Sequence, residues 1–512
     1  MNSASHAKAS VGMRLVRASG LIAFGNVSSR LIALLSAIVT ARLLTEIEFG
    51  AFGVVQSALN MFAIAASLNL GVAATRYVAL YRAADINRAR AIVRVLLCAG
   101  AISSLLVALL MVGSAPWLAK SWLRDPSVTS PLRWAALQLC AVAGYGLVVG
   151  ILNGAERFGL SSATSILQNA VILLSSLLLI PRFKAVGAIG AQAIGFAFAL
   201  GLGLWSIRDL LGSLSWQALR NDFRQEGRAL AAFCVPVLLG ALFLHPFSWM
   251  SLAIITRRQE GFVEVAFFTA ADRCRLIMLF IAAFVATAAF PLLSRAQAKD
   301  GPDAGIGPRS LELALSGSSV LLVPLSALLA FGGPQLMAAF GRSYQVNWSV
   351  LLPLIACAGA QAHLNTIGIA LLAHGRQWFA LGQQMVYGIG VLFLTFMLQN
   401  LGGAGLGLAH LISALVVISA SVPFVMRLKA LTPRAALITF ASTATICLLC
   451  FFSWLCPAGW RLALTAPLTV TTFALSAFLL TSARERRSLL PLLSRSTWPA
   501  GVRAAVQALT RR

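Results

Sequence analysis

Residues 19–41 read SGLIAFGNVSSRLIALLSAIVTA, a run whose one charge is Arg30. About 20 mostly apolar residues in a helix cross the ~30 Å hydrocarbon core of a bilayer. Working outward, similar runs recur along the chain with short polar breaks, about fourteen in all. They are continuous rather than alternating, which argues against barrel strands, whose side chains face lipid and lumen in turn. Of the 512 residues, 59% are hydrophobic and 11% charged, and the mean hydropathy is +0.86. A soluble domain carries roughly a quarter charged residues. The sequence therefore predicts an all-α polytopic membrane protein. Lys8, Arg14 and Arg17 precede the first run and give it the look of a secretory signal. It exceeds the ~7–15-residue core of such a signal and many spans follow, so an uncleaved first helix with its N-terminus inside is expected.

The net charge of +25 invites a nucleic-acid reading. The basic residues instead punctuate the apolar runs, as cytoplasmic loops do under the positive-inside rule. With the N-terminus inside, roughly 27 basic residues fall on the cytoplasmic side and about 9 outside. Arg76, Arg82, Arg88, Arg208, Arg220, Arg224 and the basic C-terminal tail belong to the inner set. Eight cysteines lie in or beside apolar runs. Cys447 and Cys450 form a C-x-x-C without a nearby histidine or second pair, so structural thiols are expected rather than a metal or redox site.

The chain also echoes itself. Thr40 and Glu48 recur as Thr256 and Glu264, Arg157 as Arg376, and Gly187 and Gln192 as Gly405 and His410. The offsets are all about 216–219 residues, the mark of an internal repeat. The expected layout is a six-helix bundle over 1–215, a second over 216–435, and two further helices with a basic cytoplasmic tail over 436–512. An even number of spans per repeat gives both bundles the same orientation, as in parallel-repeat transporters.

Catalytic signatures are absent: no phosphate loop, no H-E-x-x-H, no G-x-S-x-G and no long soluble segment. The informative residues are ionisable or polar groups inside the spans, which are costly in hydrocarbon. Arg30 sits mid-span, with Asn26 four residues earlier and Ser29 adjacent, a polar stripe suited to a water-filled cavity. Neighbouring helix carbonyls or an acid would satisfy the same arginine structurally. In the eighth span (263–290), Asp272 and Arg275 stand at i and i+3 and are expected to pair, leaving Arg273 the freer charge. A structural ion pair locking two helices fits these residues nearly as well. His363 and Asn365 in the tenth span are lesser candidates, since a membrane histidine commonly bonds helix to helix. Pro236 and Pro246, with His245 beside the latter, are expected to bend the seventh helix into a gate. Gln168, Asn169, Gln383 and Gln384 are expected as interhelical contacts.

These residues resemble a known family. Ile38 to Phe52, IVTARLLTEIEFGAF, is similar to the first-span ending of the Wzx-type oligosaccharide flippases of the MOP exporter superfamily. Ala270 to Arg295, AADRCRLIMLFIAAFVATAAFPLLSR, resembles the eighth span of that superfamily's flippases. There Ala-Asp-Arg opens the helix and Pro-x-Leu-Ser closes it, here Ala271-Asp272-Arg273 and Pro291-Leu292-Leu293-Ser294. Ser29-Arg30 resembles the cavity-facing Ser-Arg of MurJ-like lipid II flippases. The glycine and proline pattern that follows Ala-Asp-Arg in those proteins is missing, which favours the polysaccharide branch.

The resemblance implies an inner-membrane flippase for an undecaprenyl-diphosphate-linked oligosaccharide, serving exopolysaccharide or O-antigen export, and not an enzyme. It implies no cofactor. The implied partners are the anionic lipid-linked oligosaccharide, membrane lipids, and a polysaccharide polymerase with its export machinery, and no nucleic acid. Arg30 and Arg273 would then meet the diphosphate while the sugars pass between the bundles. Two rivals stand beside this reading. MATE-type multidrug exporters move cations and would be expected to carry an acid in the first span, where this chain has none between Ser19 and Ala41. Membrane-embedded polymerases and glycosyl-transfer enzymes generally show a large periplasmic loop, and the outer loops expected here are short.

Overall fold

A computed structural model describes residues 25, 27–82, 84–211, 220–227, 244–297, 308–373, 376–428 and 431–480. The chain divides into two compact units, Met1–Thr269 and Ala270–Arg512. Among the described residues both are helical, with no strand. Eight helical stretches of these residues are long and apolar enough to cross a membrane. Two of them, Phe158–Ser206 and Trp378–Arg427, have 49 and 50 residues, enough to cross twice. The protein is an all-α multi-pass membrane protein.

The first unit begins with α1 (27–43) and α2 (Glu46–Ser67). The Thr-x-x-Glu between them is a capping box: Thr45 Oγ1 accepts from the Glu48 amide at 3.3 Å, and Glu48 accepts from the Thr45 amide at 3.1 Å. Two otherwise unsatisfied amides are thereby paired at the start of α2. Then follow α3 (Leu70–Tyr81), α4 (Ile86–Trp117), a π-helical turn over Leu118–Trp122, α5 (Thr129–Gly154), α6 (Phe158–Ser206), α7 (Arg208–Leu211), α8 (220–227), α9 (Leu244–Thr256) and the start of α10 (Gly261–Gln297). Leu70, Val78, Ile92, Leu96, Val148 and Ile151 form the core where α3, α4 and α5 meet. Gly50 of α2 lies so close to α10 that a Cβ on it would stand 1.8 Å from the Phe262 carbonyl oxygen.

The long α6 is a hairpin. Lys184, three residues beyond Pro181, has φ 50 and ψ −129, and the chain reverses there. Gly187 then faces the Leu179 carbonyl and Gly195 faces Ile172. This resolves the expected fifth and sixth spans as two antiparallel arms. The second unit repeats the device with α15 (Gln377–Leu398) and α16 (Gly402–Arg427). Its hinge, Gly402, has φ 58 and ψ −134, and Gly405 packs on the Leu398 carbonyl as Gly187 does on Leu179. Such a backbone is essentially reserved for glycine, so Lys184 holds it at a cost that its glycine counterpart avoids. Lys184 is also paired to Glu48 at 3.0 Å.

The second unit holds the rest of α10 with α11 (Pro308–Phe331), α12 (Gly333–Ala338), α13 (Arg342–Val346), α14 (Leu351–Ala373), α15, α16, α17 (Pro433–Leu455) and α18 (Ala458–Leu480). Leu311, Leu315, Ile367, Ile418, Val422 and Ala435 build a core between α11, α14, α16 and α17.

Candidate substrate-binding residues

Ser29 and Arg30 are neighbours with opposite surroundings. Ser29 is buried, and its hydroxyl meets Ser165 Oγ at 2.7 Å and accepts from Asn169 Nδ2 at 2.9 Å, both on α6. It is therefore a helix-to-helix fastening. A residue further along a helix points about 100° away, so the contact that fixes Ser29 on α6 turns Arg30 aside. Arg30 is exposed. Asn26 lies outside the described residues.

The α10 cluster follows the expected pairing. Arg275 Nε donates to Asp272 Oδ1 at 2.7 Å, with Nη2 2.6 Å from the same oxygen. Arg275 Nη1 also donates to Gln361 on α14, Gln361 Nε2 to the Tyr387 hydroxyl on α15, and that hydroxyl meets His410 Nδ1 on α16 at 2.7 Å. One polar chain thus ties four helices of the second unit. Arg273 makes no hydrogen bond or ion pair among the described residues and is half-buried.

His363 is a structural junction. Its Nδ1 donates to the Gly359 carbonyl at 2.7 Å, which leaves Nε2 an acceptor within reach of the hydroxyls of Ser319 at 2.9 Å and Ser442 at 3.1 Å. With both ring nitrogens engaged and no exposed surface, it has no capacity left for a substrate. Asn365, two residues on, is exposed. Pro246 lies in α9. Pro236 lies outside the described residues, and His245, beside Pro246, is half-buried. Of the expected interhelical amides, Asn169 reaches Ser29 and Gln383 reaches Ser421.

Sequence reasoning missed Gln361 and Tyr387 and met His410 only as an echo of Gln192. That echo carries structural meaning. Gln192 accepts from Gln138 Nε2 at 2.8 Å, and Gln138 is paired in turn with Gln56 at 3.1 Å, another buried chain across three helices.

Apart from Lys184–Glu48 at the α6 hinge, the ion pairs of the first unit among the described residues gather around α4, the end of α5, α7 and α8. Arg88 Nε donates to Glu226 at 2.6 Å and Arg94 Nε to Asp222 at 2.8 Å, so α8 is clipped to α4. Arg157 Nη1 donates to Asp209 Oδ1 at 2.8 Å. Arg157 holds the Asp209 carboxyl below its ordinary range through this hydrogen bond and its charge. A carboxylate with a depressed folded-state pKa stabilises the fold above the unfolded value of about 3.9 and loses that contribution as pH falls through the folded value. The pair is half exposed, so its contribution at neutral pH is below about 1 kcal/mol. Asp209→Asn is expected to lower the melting temperature slightly at pH 7, with the difference shrinking as pH falls below the ordinary carboxylate range. Paired melting curves across that range check it; a gap that widens on acidification would contradict the assignment.

The sequence matches the polysaccharide biosynthesis protein family over residues 15–297, more than half of the chain. The chain belongs to that family. Its fold is shared with solved transporters. The lipid II flippase MurJ in an inward closed conformation superposes with a TM-score of 0.69 at 12% identity, over 92% of this chain and 99% of that one. A MATE-family multidrug resistance transporter of the MOP superfamily, inward-facing, gives 0.59 at 15% identity, over 78% and 95%. A MOP-superfamily transporter from Pyrococcus furiosus gives 0.52 at 19% identity, over 81% and 96%. These likenesses establish the fold, that of MOP-type transporters. Among curated proteins none matches.

Proposed function

We propose that this family member flips an undecaprenyl-diphosphate-linked oligosaccharide across the bacterial inner membrane, for exopolysaccharide or O-antigen assembly, with both termini in the cytoplasm. It acts as a transporter and not as an enzyme, alongside a polysaccharide polymerase and export machinery. The carrying observation is Arg30: an exposed guanidinium in a first span that has no acid between Ser19 and Ala41. A guanidinium facing lipid is expensive, whereas one facing water or an anionic headgroup is not. Its planar fork suits bidentate capture of a phosphate. Arg273, whose guanidinium makes no hydrogen bond or ion pair among the described residues, supports the same preference for an anion in the second unit. A cation exporter would be expected to place a carboxylate where Arg30 stands.

Outward movement of an anion is favoured by an inside-negative potential, by about 2.3 kcal/mol per charge per 100 mV. The chain has no phosphate loop, and none is needed. Purified protein in proteoliposomes with a lipid-linked oligosaccharide should move it without ATP, and the rate should collapse when potential and ion gradients are dissipated. Strict ATP dependence, or transport of cationic drugs with no transport of the lipid-linked glycan, would overturn the reading.

A further inference from the structure

The second span is broken. Between α2 and α3, Leu68 and Asn69 both adopt left-handed backbone, with φ of 46 and 53. Beside the break lies a cavity of about 310 Å³, lined by Ser67, Asn69 and Thr75 of this span and by Gly146, Gly150 and Asn153 of α5. It sits wholly within the first unit.

The hydrogen-bond accounting of its wall is uneven. Thr75 Oγ1 donates within the wall, to the carbonyls of Gly71 at 3.0 Å and Gly150 at 3.1 Å, and Ser67 Oγ donates to Ile64. The side-chain amides of Asn69 and Asn153 make no hydrogen bond among the described residues and are half-buried. Each amide offers two donors and an acceptor. The cavity therefore has two unspent amides and no ionisable side chain among its lining residues. This chemistry suits vicinal hydroxyls, which need donor and acceptor together, and gives an anion or a metal ion no compensating charge. The volume is at the small end of ligand pockets, about 300–1,000 Å³, the scale of a single sugar ring. Gly146 adds a flat wall: a Cβ there would meet nothing within 4 Å. Asn153 stands just before the turn that carries Glu156 and Arg157, so the cavity lies near the Arg82–Glu156 and Arg157–Asp209 pairs.

We infer that the cavity at the α2–α3 break is a monosaccharide subsite, which holds one uncharged sugar ring of the glycan between the amides of Asn69 and Asn153. The inference rests on the proposed flippase role and adds a contact to the sugar where Arg30 contacts the headgroup. By the positive-inside reading the subsite opens toward the cytoplasm, where the glycan is loaded.

The test uses three full-length variants. Gly146→Leu puts a side chain into the cavity from a position whose Cβ would meet nothing within 4 Å, and Asn69→Leu and Asn153→Leu remove the amides. Two readouts are taken on purified protein: binding of free glucose, galactose, mannose and N-acetylglucosamine by saturation-transfer NMR, and transport of the lipid-linked glycan in proteoliposomes. At least one sugar should bind the wild type. All three variants should lose that signal and slow glycan transport at least tenfold, with Gly146→Leu melting as the wild type does. Undecaprenyl diphosphate without sugar should bind variants and wild type alike. No sugar binding to the wild type, protection by sodium ions instead of sugars, or variants that transport normally would overturn the subsite. Sugar binding that the variants abolish, in a wild type that moves no lipid-linked glycan, would overturn the flippase reading while leaving the subsite standing.

Discussion

Arg275→Leu is expected to destabilise the detergent-solubilised protein by about 3–5 kcal/mol, the usual effect of removing one partner from a buried ion pair. The geometry sets this magnitude. The guanidinium binds Asp272 through two nitrogens and Gln361 through a third, within a largely buried setting. Its loss leaves the Asp272 carboxylate without its paired charge and Gln361 without a donor. The connection onward to Tyr387 and His410 is then unsupported at its origin. Thermal unfolding and protein level in the membrane are the measurements. Asp272→Asn combined with Arg275→Leu should recover most of the loss, because a neutral amide carries no charge to strand. A single variant that melts within a degree or two of the wild type would show that the chain of contacts carries little stability.

Much of the fold was legible because a membrane imposes few solutions: a continuous apolar run of the right length is a helix. The runs at 131–153, 350–374 and 436–456 coincide with α5, α14 and α17 to within a few residues. The i, i+3 pairing of Asp272 and Arg275 was legible for a similar reason, since helix geometry alone brings the two side chains together. The break in the second span was not. Leu68 and Asn69 carry no glycine or proline to announce their left-handed backbone, and the surrounding run keeps its hydropathy. The equivalence of Lys184 and Gly402 was hidden too, because two unlike residues hold one backbone shape. The arginine echo is firmer in structure than in sequence: Arg157 and Arg376 each donate their backbone N–H to the carbonyl five residues earlier, Leu152 and Leu371.

The candidate site was legible by residue type and less so by direction. Ser29, Arg30 and His363 all read as costly polar groups within a span. Only three-dimensional packing shows that Ser29 and His363 spend their hydrogen bonds on neighbouring helices while Arg30 is exposed. A polar residue in a membrane helix satisfies itself on another helix whenever one is within reach, and the sequence does not state which face has a neighbour. Gln361 and Tyr387 escaped notice because an amide and a phenol in an apolar run look like ordinary helix contacts until the arginine that organises them is in view.

Arg30→Ala is expected to lower glycan export by more than about 100-fold while the protein reaches the membrane at normal levels. Two charge-assisted hydrogen bonds to a diphosphate are worth about 1.5–3 kcal/mol each, and each 1.4 kcal/mol is about a tenfold change. Exposure of the side chain is why the level should hold, since little desolvation is involved in its loss. Arg30→Lys should retain part of the activity, keeping the charge and losing the planar fork. Arg30→Glu should be worse than alanine, because it sets like charge against the headgroup. Ser29→Ala offers the complementary measurement. It frees the fastening to Ser165 and Asn169 that orients α1, so export should fall by a smaller factor than in Arg30→Ala. The readout is accumulation of lipid-linked oligosaccharide on the cytoplasmic leaflet, scored beside protein level. Normal export with Arg30→Ala, or a fall in protein level that matches the fall in export, would mean that the arginine serves the helix packing and not the diphosphate.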